Sequence, residues 1–203
     1  MSTHGFIEQL HPTLLAQAMK AKGYPITLRE WDLNLVGVRN ADRDANDWND
    51  ALAVMWSANG HLNTVTMRCT TDPGYYWREH PMNPKGTAQL KPGHYPDLWQ
   101  LGLHRGRYEA LVQRGECTVY RDNDGDTQLD GQTLDCGLFG INLHRAADSY
   151  DAPESVGRWS AGCQVVPDTG DYTVLMALCK QQARHHVNQF HYTLIEEPDL
   201  WTP

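Results

Sequence analysis

A histidine and a cysteine in the second half of the chain have the types and spacing suited to nucleophilic catalysis. The stretch GINLHRAADSYDAPESVGRWSAGCQVV (residues 140–166) places His144 at the end of one apolar strand and Cys163 at the start of another. A thiolate is a strong nucleophile, but a free cysteine is mostly thiol at neutral pH and needs a base. If the two strands are neighbours, His144 can accept the proton of Cys163.

The residues just before the cysteine are small. Ala161 and Gly162 would let the backbone approach a substrate closely, and their amides, with that of Cys163, could stabilise a developing oxyanion. The alternative for this stretch is structural. A histidine is often a hydrogen-bonded core residue, and a free cysteine is often an inert buried thiol.

This stretch resembles the signature of the L,D-transpeptidase (YkuD-type) catalytic domain family. That signature is a histidine, a spacer, and then Ser/Thr-His-Gly-Cys. Here residues 145–159 form the spacer, and the sequence SAGC follows. The resemblance implies that His144 and Cys163 are the base and the nucleophile, and that Ser160 and Gly162 belong to the same catalytic motif.

Two positions depart from the family signature. Ala161 stands where the family has a histidine, and Val165 stands where it has asparagine or arginine. Gln164 is the nearest polar substitute and is predicted to contact the substrate. The segment GTAQLKPGHY (residues 86–95) also resembles a glycine-containing strand of that family, so the resemblance covers roughly residues 60–195.

Hydrophobic periodicity predicts a mainly β chain with α additions. Apolar residues at helical spacing before Gly23 and Pro25 predict an N-terminal helix, and a second helical pattern lies near the C-terminus. Short strands are predicted between them, which is an α+β pattern. With the resemblance, the expected fold is an L,D-transpeptidase-like β-sandwich or barrel with an N-terminal helix and a C-terminal helix. We predict one catalytic domain over residues 1–203, with a helical extension over 1–30 and the core over 60–195.

Polar and aromatic residues around the motif are predicted to hold the substrate. Arg145 and Arg158 flank the catalytic stretch and are suited to pair with a substrate carboxylate. Tyr95, Trp99 and His104 are predicted to line the groove. Each prediction has a simpler alternative, because arginines are often solvated and aromatic residues often pack in the core.

The resemblance implies an enzyme in which Cys163 attacks a carbonyl of a peptidoglycan stem peptide and forms an acyl-enzyme. We predict that water is the acceptor, which makes the chain an endolysin-like L,D-endopeptidase or carboxypeptidase. The expected setting is a phage or prophage lysis protein. Such a protein is synthesised in the cytoplasm without a signal peptide and acts in the periplasm or cell wall after release.

Three alternative functions remain open at this point. The chain could be an L,D-transpeptidase that forms or exchanges stem-peptide bonds. It could be a non-catalytic wall-binding or virion module that kept the fold. It could also be a metal-dependent wall hydrolase that uses His94 and His104.

Charge and composition limit the other partners. The net charge of −8 argues against nucleic-acid binding. No apolar run is long enough for a transmembrane helix, so no membrane insertion is expected. We expect a monomer whose partner is the peptidoglycan stem peptide.

No metal or other cofactor is predicted. The five cysteines contain no CxxC pair, and the spacing of His94 and His104 matches no zinc motif. Asp122, Asp124 and Asp126 alternate as in a calcium loop, but the glycine and the glutamate of an EF-hand loop are missing. This segment is therefore predicted to be a hairpin turn that does not need calcium.

Overall fold

An eight-stranded mixed sheet organises the chain. The computed structural model describes residues 7, 9–42, 46–126, 128–148 and 151–201. The strands are β1 (Asn34–Arg39), β2 (Asp50–Ala58), β3 (His61–Cys69), β4 (Thr87–Leu90), β5 (Gly93–His104), β6 (Tyr108–Gln113), β7 (Cys117–Asp122), β8 (Thr133–Gly137), β9 (Leu143–Arg145), β10 (Gln164–Val166) and β11 (Phe190–Glu196). The helices are α1 (Pro12–Ala21), α2 (Tyr75–Glu79) and α3 (Thr169–His185), and a 3-10 helix spans Glu197–Leu200.

The strands form one large and one small sheet. The large sheet has the order β10-β9-β6-β5-β11-β1-β2-β3, and the small antiparallel sheet has the order β4-β7-β8. Thr70, which follows β3, bridges to Val165 of β10, so the two edges of the large sheet almost meet. The predicted mainly β, α+β fold of the sandwich or barrel type is confirmed. The large sheet begins at β1, before the predicted core range of 60–195.

The main core lies between the two sheets and α3. Leu90 and Val119 of the small sheet share one buried cluster with Trp99 and Leu111 of the large sheet, and α3 adds Leu175. Burying a large apolar side chain contributes about 1.5–3 kcal/mol relative to leaving it exposed. This cluster therefore fixes the small sheet against the large one, next to the strands that carry His144 and Cys163.

The helix α1 covers the opposite face of the large sheet. Successive residues of a strand point to opposite faces, so Leu35 belongs to the main core while Val36 packs in the cluster that contains Met19 of α1. The helix ends where Gly23 adopts φ +72° and the Tyr24 amide donates to the Met19 carbonyl at 2.8 Å. The predicted N-terminal helix is therefore present, over Pro12–Ala21.

The helix α3 supports β9 and β10. Its N-cap is Asp168, whose carboxylate accepts a hydrogen bond from the Asp171 amide at 2.8 Å. The helix follows β10 directly and contacts both strands. Within the described ranges, no helix has the length and apolar character needed to cross a membrane.

Candidate active site

His144 and Cys163 lie on neighbouring strands of the large sheet. The strands β9 and β10 are parallel, with His144 opposite Val165, and the Gln164 amide donates to the Asn142 carbonyl at 2.9 Å. Side chains alternate along a strand, so Cys163, two residues before Val165, shares a face with His144. Strand spacing and rise put the Cα atoms of His144 and Cys163 roughly 8 Å apart, within reach of an imidazole and a thiol.

The sulfur of Cys163 lies over the segment that leads into β9. The thiol donates to the Gly140 carbonyl at 3.4 Å and accepts from the Asn142 amide at 3.5 Å. Its side chain is partly exposed, whereas three of the other four cysteines are buried. In the part of the chain that the structure describes, no hydrogen bond joins Sγ to the ring of His144. Catalytic hydrogen bonds are often long in unliganded enzymes and shorten when the substrate binds.

The hydrogen bonds of His144 fix its tautomer. Nδ1 lies 2.7 Å from the carbonyl oxygen of Arg145, which can only accept, so Nδ1 carries the hydrogen. The hydroxyl of Tyr108 lies 3.2 Å from Nδ1 and 3.2 Å from the same carbonyl oxygen. Nε2 is therefore an unprotonated acceptor, and it has no hydrogen-bond partner among the described residues. A general base needs this protonation state.

Burial sets the charge state of both groups. Burial first, and then the adjacent His104, lower the pKa of His144 to about 3. Burial raises the pKa of the Cys163 thiol, while the Asn142 amide and Arg105 act in the opposite direction. Both groups are uncharged at neutral pH, so the proton moves to His144 as the thiol attacks. The pair is suited to general-base activation, not to a preformed thiolate–imidazolium pair.

His104 supports the ring of His144. The two imidazoles stack with centroids 4.0 Å apart. Oδ1 of Asn142 accepts from the Gln113 amide at 2.8 Å, so Nδ2 of Asn142 donates to Nδ1 of His104 at 3.0 Å. Burial and Arg105 lower the pKa of His104, which keeps its ring neutral. The predicted groove residue His104 lines the cleft, but its closest ring contact is with His144.

Ser160 and Gly162 shape the turn that presents Cys163. The Ser160 hydroxyl donates to the Cys163 carbonyl at 2.8 Å and accepts from the Gly162 amide at 3.1 Å. Ser160 is completely buried, so it positions the turn and does not reach the substrate. Gly162 has φ +118°, and a Cβ at this position would overlap the Ala88 carbonyl oxygen. Both residues of the predicted motif therefore hold the cysteine in place.

The turn leaves two amides for a substrate oxygen. The Gly162 amide, predicted as an oxyanion donor, is already bound to the Ser160 hydroxyl. The amides of Ala161 and Cys163 have no acceptor among the residues that the structure covers. Because the amide of a nucleophile is a known oxyanion donor in hydrolases, the Cys163 amide is the stronger candidate.

Gly162→Ala is expected to destabilise the protein and to remove most of its activity. The added methyl group would strain the backbone at φ +118° and overlap the Ala88 carbonyl, which costs about 2–4 kcal/mol. Gly60→Ala is the matched control, because Gly60 has φ +77° but open space around it. Denaturant unfolding measures both variants, and equal losses of stability would contradict the packing argument.

An arginine-rich cleft of about 450 Å³ opens beside His144. Arg145 pairs with Asp148, and its guanidinium lies over the ring of Tyr108 at 4.4 Å from the centroid. The charged residues of the cleft are Arg105, Arg107, Arg145, Arg158 and Asp148. Arg105, Arg107 and Arg158 form no ion pair with a described carboxylate, so the cleft has surplus positive charge. The structure thus places the predicted substrate residues Arg145 and Arg158 in the same cleft as His144.

A second depression of about 280 Å³, lined by both polar and apolar residues, lies on the other side of the Cys163 turn. Its lining includes Trp77, Met82, Ile141, Phe139 and Ala161. Cys163 hydrogen bonds to Gly140 and Asn142, which lie on either side of Ile141 in the chain. Residues beside Cys163 therefore line this depression, and His144 lines the arginine-rich cleft.

Three predicted substrate residues lie in the core and do not line the cleft. Trp99 is completely buried, and its Nε1 donates to the Ile141 carbonyl at 2.8 Å. Gln164 is 1% exposed and accepts a hydrogen bond from the Tyr192 hydroxyl at 2.8 Å. Tyr95 is also buried. This burial does not support a substrate contact for any of the three, and Trp99 and Gln164 instead anchor the strand ends beside the cysteine.

Two residues of the site escaped the sequence analysis. Tyr108 lies opposite His104 in the β5–β6 hairpin, and the short HRGRY stretch is a signal for such a turn. Asn142 precedes His144 by two residues, so strand alternation places both side chains on one face. These two residues hydrogen bond to the histidines, and both could have been found from pairing and periodicity.

His94 and His104 do not form a metal site. Both lie on β5, ten positions apart, which separates them by roughly 30 Å. Nδ1 of His94 instead lies 2.9 Å from the Thr193 hydroxyl. The metal-dependent alternative that relied on these two histidines is therefore wrong.

Comparison with known proteins does not identify a family for this chain. No protein-family model matches the sequence, and no curated protein matches it significantly. The function must therefore be inferred from the site itself, above all from Cys163, His144 and the cleft beside them.

Proposed function

We propose that the chain is a cysteine-dependent hydrolase that cleaves peptide bonds in peptidoglycan stem peptides. The observation that carries the proposal is the placement of Cys163 one strand away from a neutral His144 whose Nε2 is free within the described residues. The resemblance of residues 140–166 to the L,D-transpeptidase signature supplies the substrate class. The surplus of arginines in the cleft agrees with a substrate that carries carboxylates.

The proposed reaction has two steps. The Cys163 sulfur attacks the carbonyl carbon while Nε2 of His144 accepts the thiol proton, and the Cys163 amide stabilises the oxyanion. The C–N bond then breaks, and the imidazolium returns the proton to the leaving amine, which leaves a thioester on Cys163. Water next attacks the thioester with His144 again as the base. The carboxylic acid departs and the thiol is restored.

The position of His144 orients the substrate. The leaving amine takes its proton from Nε2, so it lies on the His144 side, where the arginine-rich cleft opens. The acyl part then lies along the depression beside Ala161. A leaving group in the arginine-rich cleft is bound best when it has a free carboxylate. The proposed reaction is therefore the removal of a C-terminal residue or short C-terminal segment, in the manner of a carboxypeptidase.

Purified stem peptides with a C-terminal acid or a C-terminal amide test this orientation. Mass spectrometry is expected to show loss of the C-terminal residue from the acid, and about 10-fold or greater slowing for the amide, the loss expected for one charged hydrogen bond. Arg158→Gln should weaken this discrimination. Arg114→Gln is the matched control, because Arg114 is exposed and outside the cleft. Equal cleavage of both peptides would overturn the orientation but leave the hydrolase assignment intact.

The same incubation separates the other functions. Accumulation of new cross-links or exchanged terminal residues, with no net cleavage, would identify a transferase. Absence of any product would favour a non-catalytic wall-binding module. Release of glycan fragments alone would show that a different site carries the activity.

A further inference from the structure

The connection between β7 and β8 gathers three carboxylates. Asp122, Asp124 and Asp130 each present one oxygen, and the three oxygens lie within 4.8 Å of one another. Oxygens bound to one calcium ion lie about 2.3–2.6 Å from it, so they are at most about 5 Å apart. The three carboxylates are therefore close enough to share a single ion.

A buried carboxylate oxygen without a hydrogen-bond partner also favours a bound cation at this connection. Asp122 is only 6% exposed, and its Oδ2 has no hydrogen-bond partner among the described residues. Burying a carboxylate oxygen is unfavourable unless a donor or a cation satisfies it.

We propose that Asp122, Asp124 and Asp130 bind a calcium ion between β7 and β8. Calcium prefers oxygen ligands and takes additional backbone carbonyls or waters to complete six to eight contacts. The sequence analysis predicted a turn without calcium because the segment lacks the glycine and the glutamate of an EF-hand. In the structure, Asp130 supplies a third carboxylate from a position that the EF-hand comparison did not use.

Thermal unfolding of the full chain in CaCl2 tests the site. Tm is expected to rise by about 3–5 °C for each tenfold increase in calcium above its Kd, because the ion binds the folded state only. Asp124→Asn should abolish this shift in Tm. Because Asp124 is exposed, the substitution is not expected to disturb the fold. Glu116→Gln removes another exposed carboxylate outside the cluster and should leave the shift unchanged.

Titration calorimetry of the unmodified chain gives an independent measurement, with one calcium ion per chain expected. The proposal is overturned if Tm does not respond to about 10 mM CaCl2 beyond the effect of NaCl at equal ionic strength. It is also overturned if the shift persists in Asp124→Asn, since the ion would then bind elsewhere.

Discussion

Cys163→Ala is expected to lower the rate of stem-peptide hydrolysis by at least about 10⁴-fold, because no group is left to form the thioester. Cys163→Ser should be similarly inactive, since a hydroxyl is a much weaker acid than a thiol and needs a stronger base to become a nucleophile. Both variants should remain folded, because Cys163 is only partly buried as a residue and its sulfur makes only two long hydrogen bonds, at 3.4 and 3.5 Å. Product analysis measures the loss, and circular dichroism checks the fold.

Cys136→Ala is the matched control for this loss. Cys136 is the other cysteine with an accessible side chain, while Cys69, Cys117 and Cys179 are buried. The control variant should keep full activity. In its background a thiol-reactive probe should label Cys163 faster than the three buried thiols, because Cys163 is partly exposed. Turnover by Cys163→Ala at a rate close to that of the unmodified chain would remove the cysteine from the mechanism.

Local signals in the sequence predict the two longer helices but not the short α2. The helix α1 ends at Ala21, shortly before Gly23, and α3 begins after Asp168. Glycine and aspartate are residue types that favour helix ends at these positions. The local pattern of DANDWNDALAVMWSANG (residues 44–60) is compatible with a strand or a short helix. Residues Asp50–Ala58 within it form β2, because they pair with β1 on one side and β3 on the other, and such long-range pairing is not encoded in local periodicity.

The proximity of His144 and Cys163 could be predicted from motif spacing, but their surroundings could not. Cys163 and Gln164 are adjacent in the chain, yet Gln164 is buried against Tyr192 while Cys163 shares a face with His144, because strand alternation turns the two side chains to opposite faces. Sequence alone does not show which face of a strand buried on both sides holds the candidate site. The burial of Trp99 and Gln164 therefore leaves their predicted substrate contacts without structural support.

The cleft also shows why net charge is a poor guide to a local surface. The chain carries a net charge of −8, which argues against polyanionic partners as a class. The hairpin between β5 and β6 nevertheless brings Arg105 and Arg107 to the same cleft as Arg145 and Arg158, which come from distant parts of the chain. The positive charge of the cleft is therefore a property of the fold and not of the composition.

His144→Gln is expected to lower kcat by about 10²–10⁴-fold with little change in KM, because a general base acts in the transition state. The glutamine amide can still donate a hydrogen bond to the Arg145 carbonyl, so the variant removes the base and keeps that contact. His61→Gln is the matched control, since His61 is exposed at the start of β3, on the opposite edge of the sheet. Near-normal turnover by His144→Gln would mean that another group takes the thiol proton.

The pH dependence of the unmodified chain provides a second measurement on His144. Because burial and His104 lower its pKa to about 3, kcat/KM should stay level from about pH 8 to about pH 5, whereas a solvated histidine would lose its basic form near pH 6.5. Stability should behave differently. Between about pH 6.5 and pH 3, His144 binds a proton in the unfolded chain but not in the folded chain. The free energy of unfolding should therefore fall as the pH decreases through this range.

The expected slope in this window is up to about 1.4 kcal/mol per pH unit from His144, and it should be missing in His144→Gln. Urea unfolding at several pH values measures it in both proteins. Two results together would show that the ring of His144 is solvated. They are a fall of kcat/KM centred near pH 6.5, and the same dependence of the free energy of unfolding on pH in the unmodified chain and in His144→Gln. The ring would then lack the buried, neutral state on which its role as the base of Cys163 depends.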